Sequence, residues 1–145
     1  YAPVEGETVE LSKVEDEVFS SLAMGNGIAI NPSKGEVKAP LDGEVTVLFP
    51  TGHAIGIKGD NGAEVLIHVG MDTVTLNGEG FDVKVKQGDR IKKGQVLVNF
   101  DIDFIKSKKL STITPVIVTN TSSLKEVVPH DAGKVTNDDV IINIK

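Results

Sequence analysis

His53 and His68 are the residues whose types and spacing in this chain best suit chemistry. They stand on either side of a turn signal, Gly59-Asp60-Asn61-Gly62, joining two β-type runs at 51–58 and 63–70. That is the pattern of a β-hairpin. If residues 59–62 form the loop, Lys58 opposes Ala63 and His53 falls directly opposite His68, with Cβ atoms about 4.5–5.5 Å apart. If Asn61-Gly62 instead makes a two-residue turn, the histidines become diagonal neighbours, and the period of two still keeps them on one face. Two imidazoles so placed can ligate a metal as a pair, act as a nucleophile with a supporting donor, or form a buried hydrogen-bonded pair. The third histidine, His130 in the 129–133 turn, reads as structural.

The flanking residues set the scene for the pair. Val65, Ile67 and Val69 alternate with His68 and should face the core, leaving the His68 side outward. Leu66, Ile55 and Ile57 are expected on that outward side as an apolar rim, the composition of a surface that a partner covers and dries. A zinc hydrolase would need a third ligand and a base, for which the sequence offers only Asp72 or Asp16. The glycines at 52, 56, 59, 62 and 70 lack phosphate-loop spacing and read as turn and bulge positions.

The whole chain must supply the frame. Its 145 residues, 39% hydrophobic and 25% charged, are read as one globular domain with its own core. With no Trp, one Tyr and five Phe, that core is aliphatic, and the Val, Ile and Thr content favours strands. A net charge of −6 with scattered cations argues against nucleic acid. The absence of Cys excludes disulfides and thiolate chemistry and fits a reducing compartment, with the cytoplasm as the default. No apolar run nears the roughly 18 residues that span a bilayer. A start at Tyr1 without Met is read as trimming from a longer chain.

An internal repeat organises the strands. Residues 2–7, Ala-Pro-Val-Glu-Gly-Glu, recur as Ala-Pro-Leu-Asp-Gly-Glu at 39–44, each followed by a β-type run. Two copies predict two related sheet units packed on each other as a sandwich, since a solenoid needs three or more. Residues 15–24 suit a short helix or 3-10 turn ending at Gly25, and 101–110 a short helix with Asp101 or Asp103 near its N-cap. Further strands are expected at 27–31, 81–86, 96–100, 112–118 and 140–144, with Pro115 marking an edge position or a strand start.

Residues 49–55, Phe-Pro-Thr-Gly-His-Ala-Ile, and 66–74, Leu-Ile-His-Val-Gly-Met-Asp-Thr-Val, resemble the glucose-type IIA domain of the bacterial phosphoenolpyruvate:sugar phosphotransferase system. The likeness continues through 25–30, 39–43, 76–81 and 111–116, nearly the whole length. It implies an all-β antiparallel sandwich of the duplicated hybrid motif type with short helical segments. It also implies a carrier that takes phosphate from HPr on His68 and gives it to a cysteine of a IIB domain. On the same footing His53 is the partner histidine, Thr51 holds its ring, and Asp72 with Asp16 meets basic groups on HPr. Phe19, Phe49, Leu66 and Val74 would make the apolar docking surface, Leu66 standing where relatives often carry Phe. The resemblance implies a cytoplasmic protein working with a fused or associated sugar permease, with no cofactor and no metal. The alternative is a regulatory module switched by phosphorylation without onward transfer. The 88–95 turn also resembles biotinyl and lipoyl carriers, but the carrier lysine is missing, as is the H-x-H pair of related zinc endopeptidases.

Overall fold

The computed structural model describes residues 1–11, 25–71, 73–121, 127–129 and 133–144. The β-branched runs become strands β1 (Gly6–Glu10), β2 (Asn26–Pro32), β3 (Glu36–Lys38), β4 (Gly43–Leu48), β5 (Ala54–Gly59), β6 (Glu64–His68) and β7 (Phe81–Val83). They continue as β8 (Arg90–Ile91), β9 (Val96–Phe100), β10 (Thr114–Val118), β11 (Val127–Pro129), β12 (Lys134–Val135) and β13 (Ile142–Ile144). A 3-10 turn covers Thr73–Leu76, and the short helix α1 covers Ile102–Ser107. The expected helix at 15–24 lies outside the described residues. At α1 the N-cap is Asp101, whose Oδ1 accepts the Phe104 N–H at 3.0 Å. No helix among the described residues is long and apolar enough to cross a membrane.

Eight strands form one antiparallel sheet in the order β12-β1-β2-β10-β6-β5-β4-β8. Its inner face, with Ile28, Ile30, Ile55, Ile57, Ile67 and Val116, shares a continuous core with Val37, Val98 and Phe100 of the β3-β9-β7 sheet. The result is a β-sandwich whose aliphatic interior follows from side-chain alternation, each fully buried Ile contributing about 1.5–3 kcal/mol of transfer free energy. A smaller cluster, Leu11, Ala29, Met71 and Ile117 with Val9, Leu66 and Ile113 against it, occupies the opposite face.

The sequence repeat reappears as symmetry of this sheet. Gly6 and Glu7 pair with Pro32 and Asn31 on one side and with Val135 and Lys134 on the other; Gly43 and Glu44 pair in the same way with Gly59 and Lys58, and with Ile91 and Arg90. The two copies are therefore halves of one sheet, joined side by side where Val116 pairs with Ile67, rather than separate units stacked on one another. Pro115 is not at an edge, since β10 lies mid-sheet between β2 and β6. It stands second in its strand, and the ladder to β6 begins one residue later at Val116, so the strand-start reading holds.

The β5–β6 register differs from both sequence-derived alternatives. Lys58 pairs with Glu64, Ile57 with Val65, and Ala54 with His68. The connection is a three-residue loop: the Gly62 N–H bonds the Gly59 carbonyl at 3.0 Å, and Gly62 takes φ +90°. That is a tight turn followed by a left-handed residue, a geometry intermediate between the two loops considered. A one-residue slip flips every side chain. Ile55 and Ile57, expected as an outward rim, are accordingly 1% exposed in the core, while Leu66 and His68 keep the outward face.

Candidate functional site

The new register should also have separated the histidines, because strict alternation across it places residues 53 and 68 on opposite faces. They meet because His53 is not in a strand. β5 begins at Ala54, and residues 49–53 form the β4–β5 connection, with the Gly52 N–H donating to the Phe49 carbonyl at 2.8 Å. Pro50 follows the first residue of this turn and Gly52 closes it at φ +76°. The bend swings the His53 ring over the sheet end. There the two imidazole centroids are 5.1 Å apart with planes at 79°, an edge-to-face contact.

Each ring is held by a different device. His53 is 3% exposed, its Nδ1 lies 2.5 Å from the Thr51 hydroxyl, and Phe49 packs edge-on at 5.3 Å. Burial first, and then the neighbouring His68, push the His53 imidazolium down to about 4, so this ring is neutral at physiological pH. His68 is half-buried, and its Nδ1 lies 2.7 Å from the carbonyl of Gly70. A carbonyl only accepts, so Nδ1 carries the hydrogen and the lone pair of the neutral ring belongs to Nε2. The chain can turn back this soon only because Gly70 takes φ +73°.

Around the rings lies the outward apolar face. Leu66 flanks His68 on β6 and is partly buried against Ile117 and Met71, whereas Phe49 and Val74 are 43% and 50% exposed. The 3-10 turn carrying Val74 continues to Gly78, whose Cα faces the Thr51 backbone. Asp16, Phe19, Asp72 and His130 lie outside the described residues. Among the described residues no group of three His, Cys, Asp or Glu side chains comes together in a metal-ligating arrangement.

Three features escaped sequence reading. Val47 is 45% exposed and pairs with Gly56, on the Leu66 face, because a bulge between Val45 and Val47 breaks the alternation that would have buried it. The Gly70 carbonyl bonds the His68 ring, though Gly70 was read only as a turn position; the H-x-G spacing, with a ring and a turn glycine two residues apart, was the available signal. Thr73 is fully buried, and its hydroxyl donates to the Val69 carbonyl.

Comparison with known proteins agrees with this architecture. The glucose permease IIA from Mycoplasma capricolum is similar in structure, with a TM-score of 0.90 at 39% identity, covering 97% of this chain and 91% of that one. Residues 1–124 match the profile described as phosphoenolpyruvate-dependent sugar phosphotransferase system, EIIA 1. With a profile match over most of the chain and a structural match over nearly all of it, this chain belongs to the EIIA 1 family of the sugar phosphotransferase system.

Proposed function

We propose that this domain is a cytoplasmic phosphoryl carrier in which Nε2 of His68 accepts the phosphoryl group of phospho-HPr and then yields it to a IIB-domain cysteine. The observation that carries the reading is the bond from His68 Nδ1–H to the Gly70 carbonyl at 2.7 Å, which fixes the nucleophilic lone pair on Nε2. In the first step the Nε2–P bond forms as the bond between phosphorus and its donor atom on HPr breaks. In the second, the cysteine thiolate attacks phosphorus and the imidazole leaves.

His53 supports both steps. In the tautomer where the Thr51 hydroxyl donates to its Nδ1, the neutral ring carries its hydrogen on Nε2, where it can donate to a phosphoryl oxygen. Burial keeps this ring neutral, so it offers a single N–H, on the nitrogen that Thr51 leaves free. Phosphoryl transfer asks mainly for positioning and for stabilisation of spread negative charge, and a fixed N–H beside a fixed lone pair supplies both. Phe49, Leu66 and Val74, with Phe19, form the docking surface in this reading, and Asp72 and Asp16 attract a cationic partner at its rim. The sugar permease is the downstream partner, fused or separate, and residues 1–145 act as one module.

The test is intact mass after incubation with phosphoenolpyruvate, enzyme I and HPr. One added phosphate that is acid-labile and base-stable is expected, and it should be absent from His68→Ala. Normal labelling of His68→Ala would move the nucleophile elsewhere.

A further inference from the structure

The Gly70 carbonyl can orient His68 only if the turn that bears it is itself held, and three hydrogen bonds hold that turn. The Met71 N–H, on the same peptide plane as the Gly70 carbonyl, donates to the Ser111 carbonyl at 3.0 Å. One residue earlier, the Thr73 hydroxyl donates to the Val69 carbonyl, and the Val69 N–H donates to the His53 carbonyl at 2.7 Å. Thr73 also closes the turn sterically. A Cβ built on Gly70 would lie 2.6 Å from the Thr73 Cγ2 and 2.6 Å from the Ser111 oxygen. The methyl of Thr73 therefore rests on the bare Cα of Gly70 while its hydroxyl ties the preceding carbonyl.

We propose that Thr73 is a positioning residue for His68: its hydroxyl and methyl lock the 69–71 turn so that the Gly70 carbonyl faces Nδ1 and the acceptor lone pair stays on Nε2. The consequence for phosphate transfer rests on the carrier reading above; the effect on the ring does not. Second-layer groups that orient a functional histidine through its other nitrogen are typically worth about 10–100-fold in the property they support.

The other half of the sheet provides an internal control. There the Thr121 hydroxyl donates to the Val118 carbonyl at 2.5 Å and accepts the Asn26 N–H at 3.0 Å. It is a similar threonine-to-valine brace at the end of β10, reaching back three residues rather than four and partly rather than fully buried, with no histidine among the described residues to position. A merely structural threonine should thus behave alike in both halves, whereas a positioning one should not.

Nitrogen NMR of the neutral His68 ring reads its tautomer directly. The wild type should show the Nδ1–H form predominating, and Thr73→Val should redistribute the hydrogen between the two nitrogens and slow phosphate acceptance from phospho-HPr about tenfold or more. Thr73→Ser, which keeps the hydroxyl, should restore most of both. Thr121→Val should lower the melting temperature at least as much as Thr73→Val and leave the His68 signals unchanged. If Thr73→Val fails to fold, Thr73→Ala, which introduces no methyl against the carbonyl, is read by the same ring signals. An unaltered tautomer in whichever Thr73 variant folds, or an equal change in Thr121→Val, would overturn the proposal. Failure of the carrier reading would show up separately, as labelling that survives in His68→Ala.

Discussion

The two halves of the eight-stranded sheet share a frame and differ in what stands at its ends. Following the matched registers, β2 corresponds to β5 and β10 to β6, so Asn26 takes the place of His53 and Ile117 that of His68. In the silent half Asn26 is spent locally: its Oδ1 accepts the Gly27 N–H at 2.9 Å and its Nδ2 donates to the Val127 carbonyl at 3.3 Å. Ile117 is fully buried in the outer cluster. In the other half the same two positions hold imidazoles 5.1 Å apart. The duplicated scaffold thus explains where the histidine pair stands. In the proposed carrier, reactivity depends on two side chains, a turn that carries one of them off its strand, and a carbonyl turned toward the other.

Four perturbations test that division. The largest contrast is between equivalent positions. His68→Ala should cut phosphate labelling by more than about 10³-fold at a stability cost of about 1 kcal/mol. Ile117→Ala should leave labelling intact and cost about 2–5 kcal/mol, as expected for a fully buried Ile. Intact mass and thermal melting of both variants decide it, and a swap of the two effects would mean the halves are misassigned.

Next comes the support given by the second ring. His53→Gln keeps an N–H within reach of a phosphoryl oxygen and should still accept phosphate on His68. It should pass that phosphate to the IIB cysteine about 10²-fold more slowly, because a fixed amide stabilises developing charge less well than a polarisable imidazole. Single-turnover rates for each half-reaction are the measurement, with equal losses in both pointing to a purely structural pair.

A smaller effect concerns pH. His53 titrates at about 4 when folded, against 6.5 for the ordinary side chain. As pH falls the unfolded chain binds this proton first, so the stability His53 confers is complete above 6.5, declines between 6.5 and 4, and levels off below. Urea midpoints across that window should fall more steeply for the wild type than for His53→Gln, and parallel curves would show that the ring is not held neutral by burial.

The smallest expected change is in association. Asp72→Lys should slow transfer from phospho-HPr several-fold at low ionic strength, with the difference shrinking as salt screens it. Transfer rates measured against salt concentration check this. A rate equal to wild type at low salt would remove Asp72 from the partner-facing rim.

Much of this was legible in the sequence where local chemistry and tertiary context agree. The Ala-Pro repeat announced a duplication, although as two stacked units rather than two halves of one sheet, Asp101 capped its helix as read, and the histidine pair was recognised from a turn signal and spacing. The register was not legible, because Gly59-Asp60-Asn61-Gly62 serves loops of two, three or four residues, and only packing selects among them. Once Ile55 and Ile57 turn inward to join Val65 and Ile67, the three-residue loop is the one that fits. The histidines came together despite that error, since the 49–53 bend compensates for the slip. Val47 was hidden for a related reason: a bulge has no sequence signature strong enough to override the alternation around it.

The ends of the large sheet have a consequence of their own. β12 and β8 are two-residue stubs, carrying Lys134 and Arg90, the latter salt-bridged to Asp60. Neither offers the length of unpaired backbone that strand addition needs, and the charges discourage it further. Under the carrier reading, recognition at these two end strands would come through side chains, with no backbone ladder to zip or unzip. Contacts of that kind tolerate partners of unrelated fold, since only apolar shape and charge at the rim must match, and they can be released quickly after each encounter.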